Sequence, residues 1–113
     1  MMLRLTTAIA ASAIGLAQAA YASTDYPITL TNCGIDISVV SAPERTVTVG
    51  QSATEILYSL GLADRINGTS VWFNPVLPQF SDANEAIERI ANDDPSFEAV
   101  VNKRPDLVAV QYE

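Results

Sequence analysis

From residue 27 the chain alternates. In PITLTNCGIDISVVS, Ile28 and Leu30 are spaced by Thr29, and Ile35, Ile37 and Val39 by Asp36 and Ser38, with Asn32-Cys33-Gly34 between the two runs. A period of two belongs to a strand with one apolar face, and two such runs around a glycine-containing break predict a β-hairpin. Pro43 ends the pattern, and the β-branched run Thr46-Val47-Thr48-Val49 before Gly50 predicts a third strand. The period then changes. Ala53, Ile56, Leu57 and Leu60 stand at i, i+3, i+4 and i+7, one face of a helix. Ser52 and Glu55 have the spacing of a capping box, and Gly61 is the residue expected just past the helix end. DRINGTS, residues 64–70, restarts an extended segment. Residues 45–70 thus read strand, turn, helix, strand, the form of a right-handed parallel crossover.

The next stretch, VWFNPVLPQFSDAN, is rich in aromatics and prolines for a connection. Asp82 and Glu85 suggest a second capping box, with Ala83, Ala86, Ile87 and Ile90 at helical spacing, although IERIAND reads equally well as extended. Asp94-Pro95-Ser96 opens a short helix in which Phe97, Val100 and Val101 share a face, Glu98 lies early, and Lys103 and Arg104 lie late, as the helix dipole favours. Pro105 stops it. DLVAV, residues 106–110, is a continuous apolar run of the kind buried on both faces of a parallel sheet. The fold class is α/β. A strand of that kind needs neighbours on both sides and helices on both faces, so the chain is expected to be the first half of a longer protein.

The N-terminus has a different character. A positive start in MMLR, an apolar core in LTTAIAASAIGLA and the small-residue pattern Ala20-Tyr21-Ala22 define residues 1–22 as a secretory signal peptide, leaving residues 23–113 as the α/β unit. The apolar core is shorter than the roughly 20 residues of a membrane-spanning helix. Its removal takes only Arg4 from the charged residues, so the net charge moves from −7 to −8. A chain this acidic, with no basic cluster, disfavours nucleic acid and anionic lipid as partners.

Candidate chemistry is sparse. The sequence holds no histidine and one cysteine, and no D-x-D-x-D-G calcium loop, so no metal site or resident cofactor is expected. In an oxidising compartment Cys33 is either a small buried hydrophobe or half of a bridge whose other half lies elsewhere. Ser52 has three readings. As the nucleophile of a secreted α/β hydrolase it lacks both a histidine and the second glycine of G-x-S-x-G. As a helix cap it is ordinary. As part of a ligand cradle, with Gln51, it lies where a parallel strand gives way to a helix N-terminus, the place where open α/β sheets bind ligands. Trp72 and Phe73 follow the next strand and Gln111-Tyr112 the one after, so all emerge on the same sheet edge.

These residues together resemble a family. APERTVTVGQSATEILYSLGLADRINGTSVWF, followed by SFEAVVNKRPDLVAV, is similar to the N-terminal lobe of the periplasmic solute-binding proteins of ABC importers for iron-siderophore, haem and cobalamin. The likeness runs over about residues 26–112. It implies a binder and not an enzyme, in which a Rossmann-like lobe preceded by a hairpin would be joined through a long helix to a second lobe, with a metal chelate held between them. It implies ligand contacts from Gln51, Ser52, Trp72, Phe73 and Tyr112, and docking of Glu88, or Glu85 in its place, against an ABC permease, with a solvated face as the plain alternative for either acid. The TNCG start resembles members in which that cysteine bonds to the second lobe, which would engage Cys33. A periplasmic, monomeric protein carrying a chelate, ferric siderophore first, is the expectation.

Overall fold

In the computed structural model, residues 23–111 are described; the expected signal peptide and Tyr112 lie outside them. The alternating segment forms β1 (Ile28–Asn32) and β2 (Ile35–Val39), antiparallel, with Leu30 opposite Ile37 and Thr31 opposite Asp36. Only Cys33 and Gly34 make the turn, both at positive φ (50° and 76°), as a two-residue hairpin turn matched to strand twist requires. Register puts Ile28, Leu30, Ile35, Ile37 and Val39 on one face, yet Leu30, Ile35 and Ile37 are all exposed. Cys33 is exposed as well, so it is not the buried hydrophobe that was one of its two readings.

The main sheet is built on β3 (Thr46–Val49), which is followed by helix α1 (Gln51–Ser59), a single 3-10 turn at Ala63–Arg65, and β4 (Ile66–Ser70). After a second 3-10 turn at Pro78–Phe80 come α2 (Ser81–Ala86), α3 (Phe97–Asn102) and β5 (Leu107–Val110). The sheet order is β4-β3-β5, all parallel, which places β3 at the centre with Val47 and Thr48 fully buried. The C-terminus of α1 follows the expected glycine signal. Gly61 adopts φ 71°, its N–H bonds to Tyr58 O at 3.0 Å, and Leu62 N bonds to Leu57 O at 2.9 Å, the paired bonds of a Schellman motif.

Four expectations change. Ser52 does not cap α1: the N-cap is Gly50, no side chain caps it, and Ser52 is the second residue of the helix. The face of α1 laid on the sheet is Thr54 and Tyr58, whereas Ile56 and Leu60 of the apolar stripe are exposed. The reason is chemical, since the sheet offers α1 hydroxyls (Thr48, Thr69) in place of hydrocarbon. Helix α2 ends at Ala86 without an Asp82 cap, and Ile87 turns extended so that Arg89 bridges Thr69 in parallel, satisfying the outer edge of β4. Among its two readings, IERIAND is the extended one. Finally β5 is not buried on both faces: Leu107, Val108 and Val110 are exposed, because among the described residues β5 pairs only with β3 and no helix covers it. The N-terminus of α3 is as expected, with Ser96 accepting from Ala99 N at 3.1 Å.

Candidate functional site

Where the three parallel strands end, their loops converge. A cleft of about 710 Å³ lies there, within the roughly 300–1,000 Å³ usual for small-molecule sites. The N-cap and first turns of α1 contribute Gly50, Gln51, Ser52 and Glu55, the loop after β4 contributes Val71, Phe73, Asn74, Pro75 and Leu77, and Gln111 follows β5; Asp93 and Asp94 also line it. This is the carboxyl end of a parallel sheet, with the N-terminus of α1 and its free amides opening onto the cleft.

Gly50 makes the convergence possible. Its φ of 122° belongs to glycine, its N–H bonds to Ser70 O at 3.0 Å, and a Cβ placed there would sit 3.0 Å from Gln111 O and 3.2 Å from Gln111 Cβ. The loops after β3, β4 and β5 are therefore pinned together at one residue. Gln51 and Glu55, one turn apart on α1, then hold the β4 loop. Gln51 Oε1 accepts from Asn74 N (3.1 Å), Gln51 Nε2 donates to Pro75 O (3.4 Å), and Glu55 Oε1 accepts from Leu77 N (3.2 Å). Glu55 is thus engaged with this loop rather than with Ser52 in a capping box.

Behind the cleft runs a buried hydroxyl relay. Trp72 Nε1 can only donate, and it donates to Thr69 Oγ1 at 3.0 Å. The one hydrogen of Thr54 goes to Gly50 O (3.0 Å), which can only accept, so Thr69 (2.9 Å) and Thr48 (2.8 Å) both donate to Thr54 Oγ1. Every hydrogen has one acceptor, so the relay is fully satisfied and holds a single direction from Trp72 to Gly50. Tyr58 continues the seam below it: its hydroxyl donates to Asn84 Oδ1 (3.2 Å), its ring meets Phe80 at 5.5 Å, and burial raises the phenol's pKa, against the lowering effect of Arg89 and with that of Glu55.

The adjacent aromatics part company. Phe73 is exposed on the cleft, whereas Trp72 turns back, its N–H on Asn92 O (3.1 Å), its indole on Thr69, and the Arg89 guanidinium 4.7 Å from its ring centroid. Trp72 is not among the residues lining the cleft; Gln51, Ser52 and Phe73 are. Glu88 is ion-paired with Lys103, and Glu85 is exposed on α2. Sequence reasoning missed Glu55, Asp93 and Asp94 as cleft residues, and Val71, whose φ of 60° is strained for a β-branched side chain. No residue pattern announces a strained valine; the i, i+4 spacing of Gln51 and Glu55 did offer a signal for the clamp. For the hydrolase reading the geometry is also unsuitable, because the turn is made at Gly50 and Ser52 already lies inside the helix.

A parallel sheet with a cleft beyond its carboxyl ends is the frame of an α/β binding lobe. By sequence, residues 47–113 match the family described as periplasmic binding protein, more than half of the chain, and the chain belongs to that family. It is 29% identical over 84 residues to an uncharacterized ABC transporter substrate-binding lipoprotein, YvrC, of Bacillus subtilis (strain 168), a match covering 74% of this chain and 25% of that one. It also resembles the crystal structure of a periplasmic binding protein from Veillonella parvula (TM-score 0.64, 28% identity, 74% of this chain and 29% of the other). A further likeness is to an ABC-type Fe3+-hydroxamate transport system from Saccharomonospora viridis (TM-score 0.63, 26% identity, 74% and 32%). The chain spans about a quarter to a third of the length of these relatives.

Proposed function

We propose that this chain supplies the N-terminal ligand-gripping lobe of an extracytoplasmic substrate-binding protein that delivers a metal chelate to an ABC permease. The observation that carries this reading is the cleft at the carboxyl ends of β3, β4 and β5, lined by Gln51, Ser52 and Phe73 in a chain of the periplasmic binding protein family. Its lining suits a chelate. Apolar surface from Phe73, Pro75 and Leu77 stands beside amide and hydroxyl donors, a mixture that grips a preformed complex through its organic shell. A ferric siderophore is the favoured chelate, in line with the hydroxamate transport relative; haem and cobalamin are the other members of the class. The protein acts as a monomer without a resident cofactor and carries out no reaction. Glu85, exposed on α2, is the better placed of the two acids to meet a permease arginine, since Glu88 is held by Lys103. Cys33, exposed at the hairpin tip, is available to bond to a second lobe.

The test is a fluorescence titration. Trp72 is the single tryptophan of the sequence and is bonded next to Phe73, so a ferric siderophore seated on Phe73 quenches it, and Phe73→Ala abolishes saturable quenching. Quenching by no member of a chelate panel overturns the reading.

A further inference from the structure

We propose that the cleft selects metal complexes of neutral or positive overall charge and rejects polyanionic ones; this rests on the chelate-binding reading above. Three carboxylates line the cleft, Glu55, Asp93 and Asp94, and among the described residues no lysine or arginine does. Two of the cations are engaged elsewhere: Arg89 lies over Trp72, and Lys103 is paired with Glu88. The partial positive charge at the N-terminus of α1, about half a unit, falls short of three full negative charges.

The acids do not form a nest for a bare ion. Glu55 is turned to Leu77 N and Gln51 Nε2, and among the described residues no group of three or more His, Cys, Asp or Glu side chains is placed to hold a metal. Acids arranged in this way act on a ligand through their field. A trianionic complex brought against them is repelled, a neutral complex is indifferent to them, and a complex bearing an ammonium group is attracted. The uncharged polar groups left free in the cleft, Ser52 and the amides at the start of α1, meanwhile suit the carbonyl-type oxygens of a neutral complex.

The experiment is equilibrium titration of the protein with three ferric complexes: a neutral trihydroxamate, a trihydroxamate carrying one free amine, and a tris-catecholate trianion, each at low and high salt. The neutral and cationic complexes bind about tenfold or more tighter than the trianion at low salt, and the gap narrows at high salt and in Asp93→Asn/Asp94→Asn. These two acids are exposed, so the variant folds. Equal or tighter binding of the trianion overturns the charge selection and leaves the chelate reading standing. A preference unchanged in the double variant overturns the role of Asp93 and Asp94. Binding of none of the three removes the ferric-siderophore reading on which the charge selection rests.

Discussion

The two ends of the parallel sheet are built from opposite materials. At the amino ends of the strands, charged side chains tie backbone to backbone. Asp106 accepts from Glu44 N (3.0 Å) and Arg45 N (2.8 Å), Arg45 Nε donates to Arg104 O (2.8 Å), and Arg65 donates to Pro43 O (2.9 Å). At the carboxyl ends the fastening is done by Gly50, by uncharged threonines and by the Gln51 and Glu55 clamp, and the surface left open is the cleft. Two of the motifs that carry the family resemblance, P-E-R at 43–45 and K-x-P-D-L-V at 103–108, thus sit at the closed end and staple β3 to β5, whereas the third, T-E-I-L-x-x-L-G-L at 54–62, lies on α1 and its C-terminal end and puts Thr54 in the relay and Glu55 on the cleft. The open end, where ligand is proposed to bind, carries its charge only on Glu55, Asp93 and Asp94 among the described residues that line it. At the closed end a distinctive motif marks architecture, and the ligand is proposed to meet loops held at a distance from it.

The sharpest way to break this contrast is at Gly50. Gly50→Ala places a methyl group against Gln111 at a φ that L residues avoid, and is expected to cost about 2–4 kcal/mol in urea denaturation. A loss under about 0.5 kcal/mol would mean that the open end is not pinned there. Next is Thr54→Val, which keeps the shape and removes the hub of the relay. It should cost about 2 kcal/mol by leaving the Thr69 and Thr48 hydroxyls without an acceptor, and shift Trp72 emission, while Thr54→Ser retains the emission maximum. Unchanged emission in Thr54→Val would show that Trp72 is held by other contacts.

At the closed end the expected effect is smaller and depends on pH. The backbone N–H groups of Glu44 and Arg45 lower the pKa of Asp106, with a smaller contribution from the Arg45 guanidinium. A depressed carboxylate adds stability above its unfolded pKa, so this contribution is present at neutral pH and is lost as pH falls below about 4 through the folded value. Asp106→Asn should flatten that acid limb, as thermal melts across pH would reveal; an unaltered limb would remove the staple from the account. Smallest of all is Ser52→Ala. A capping serine would cost about 1 kcal/mol, and an N2 serine without that role should cost under about 0.5 kcal/mol.

Much of the frame was legible because its signals are local. The alternation around Cys33-Gly34, the β-branched run before Gly50, Gly61 as the helix stop and the helix opened by Asp94-Pro95-Ser96 each depend on a few neighbouring residues, and each stands in the structure. What misled was burial. Thr54, Thr48 and Thr69 are polar by type and buried because they satisfy one another, so the stripe of Ile56 and Leu60 looked like the packed face of α1. Of the cleft, Gln51, Ser52 and Phe73 followed from their place after strands. The acids came from a different segment or were engaged with a loop, and Trp72's inward turn depends on a partner three residues back that no periodicity reveals.

The contrast between the two ends is tested most directly by the backbone amide spectrum of the protein during titration with the gallium(III) complex of a neutral trihydroxamate, diamagnetic in place of iron. Saturable shifts at Gly50, Gln51, Ser52 and the loop from Phe73 to Leu77, with Arg45 and Asp106 unmoved, are the predicted result. Shifts centred on the amino ends of the strands or on the hairpin, with the cleft amides silent, would contradict it.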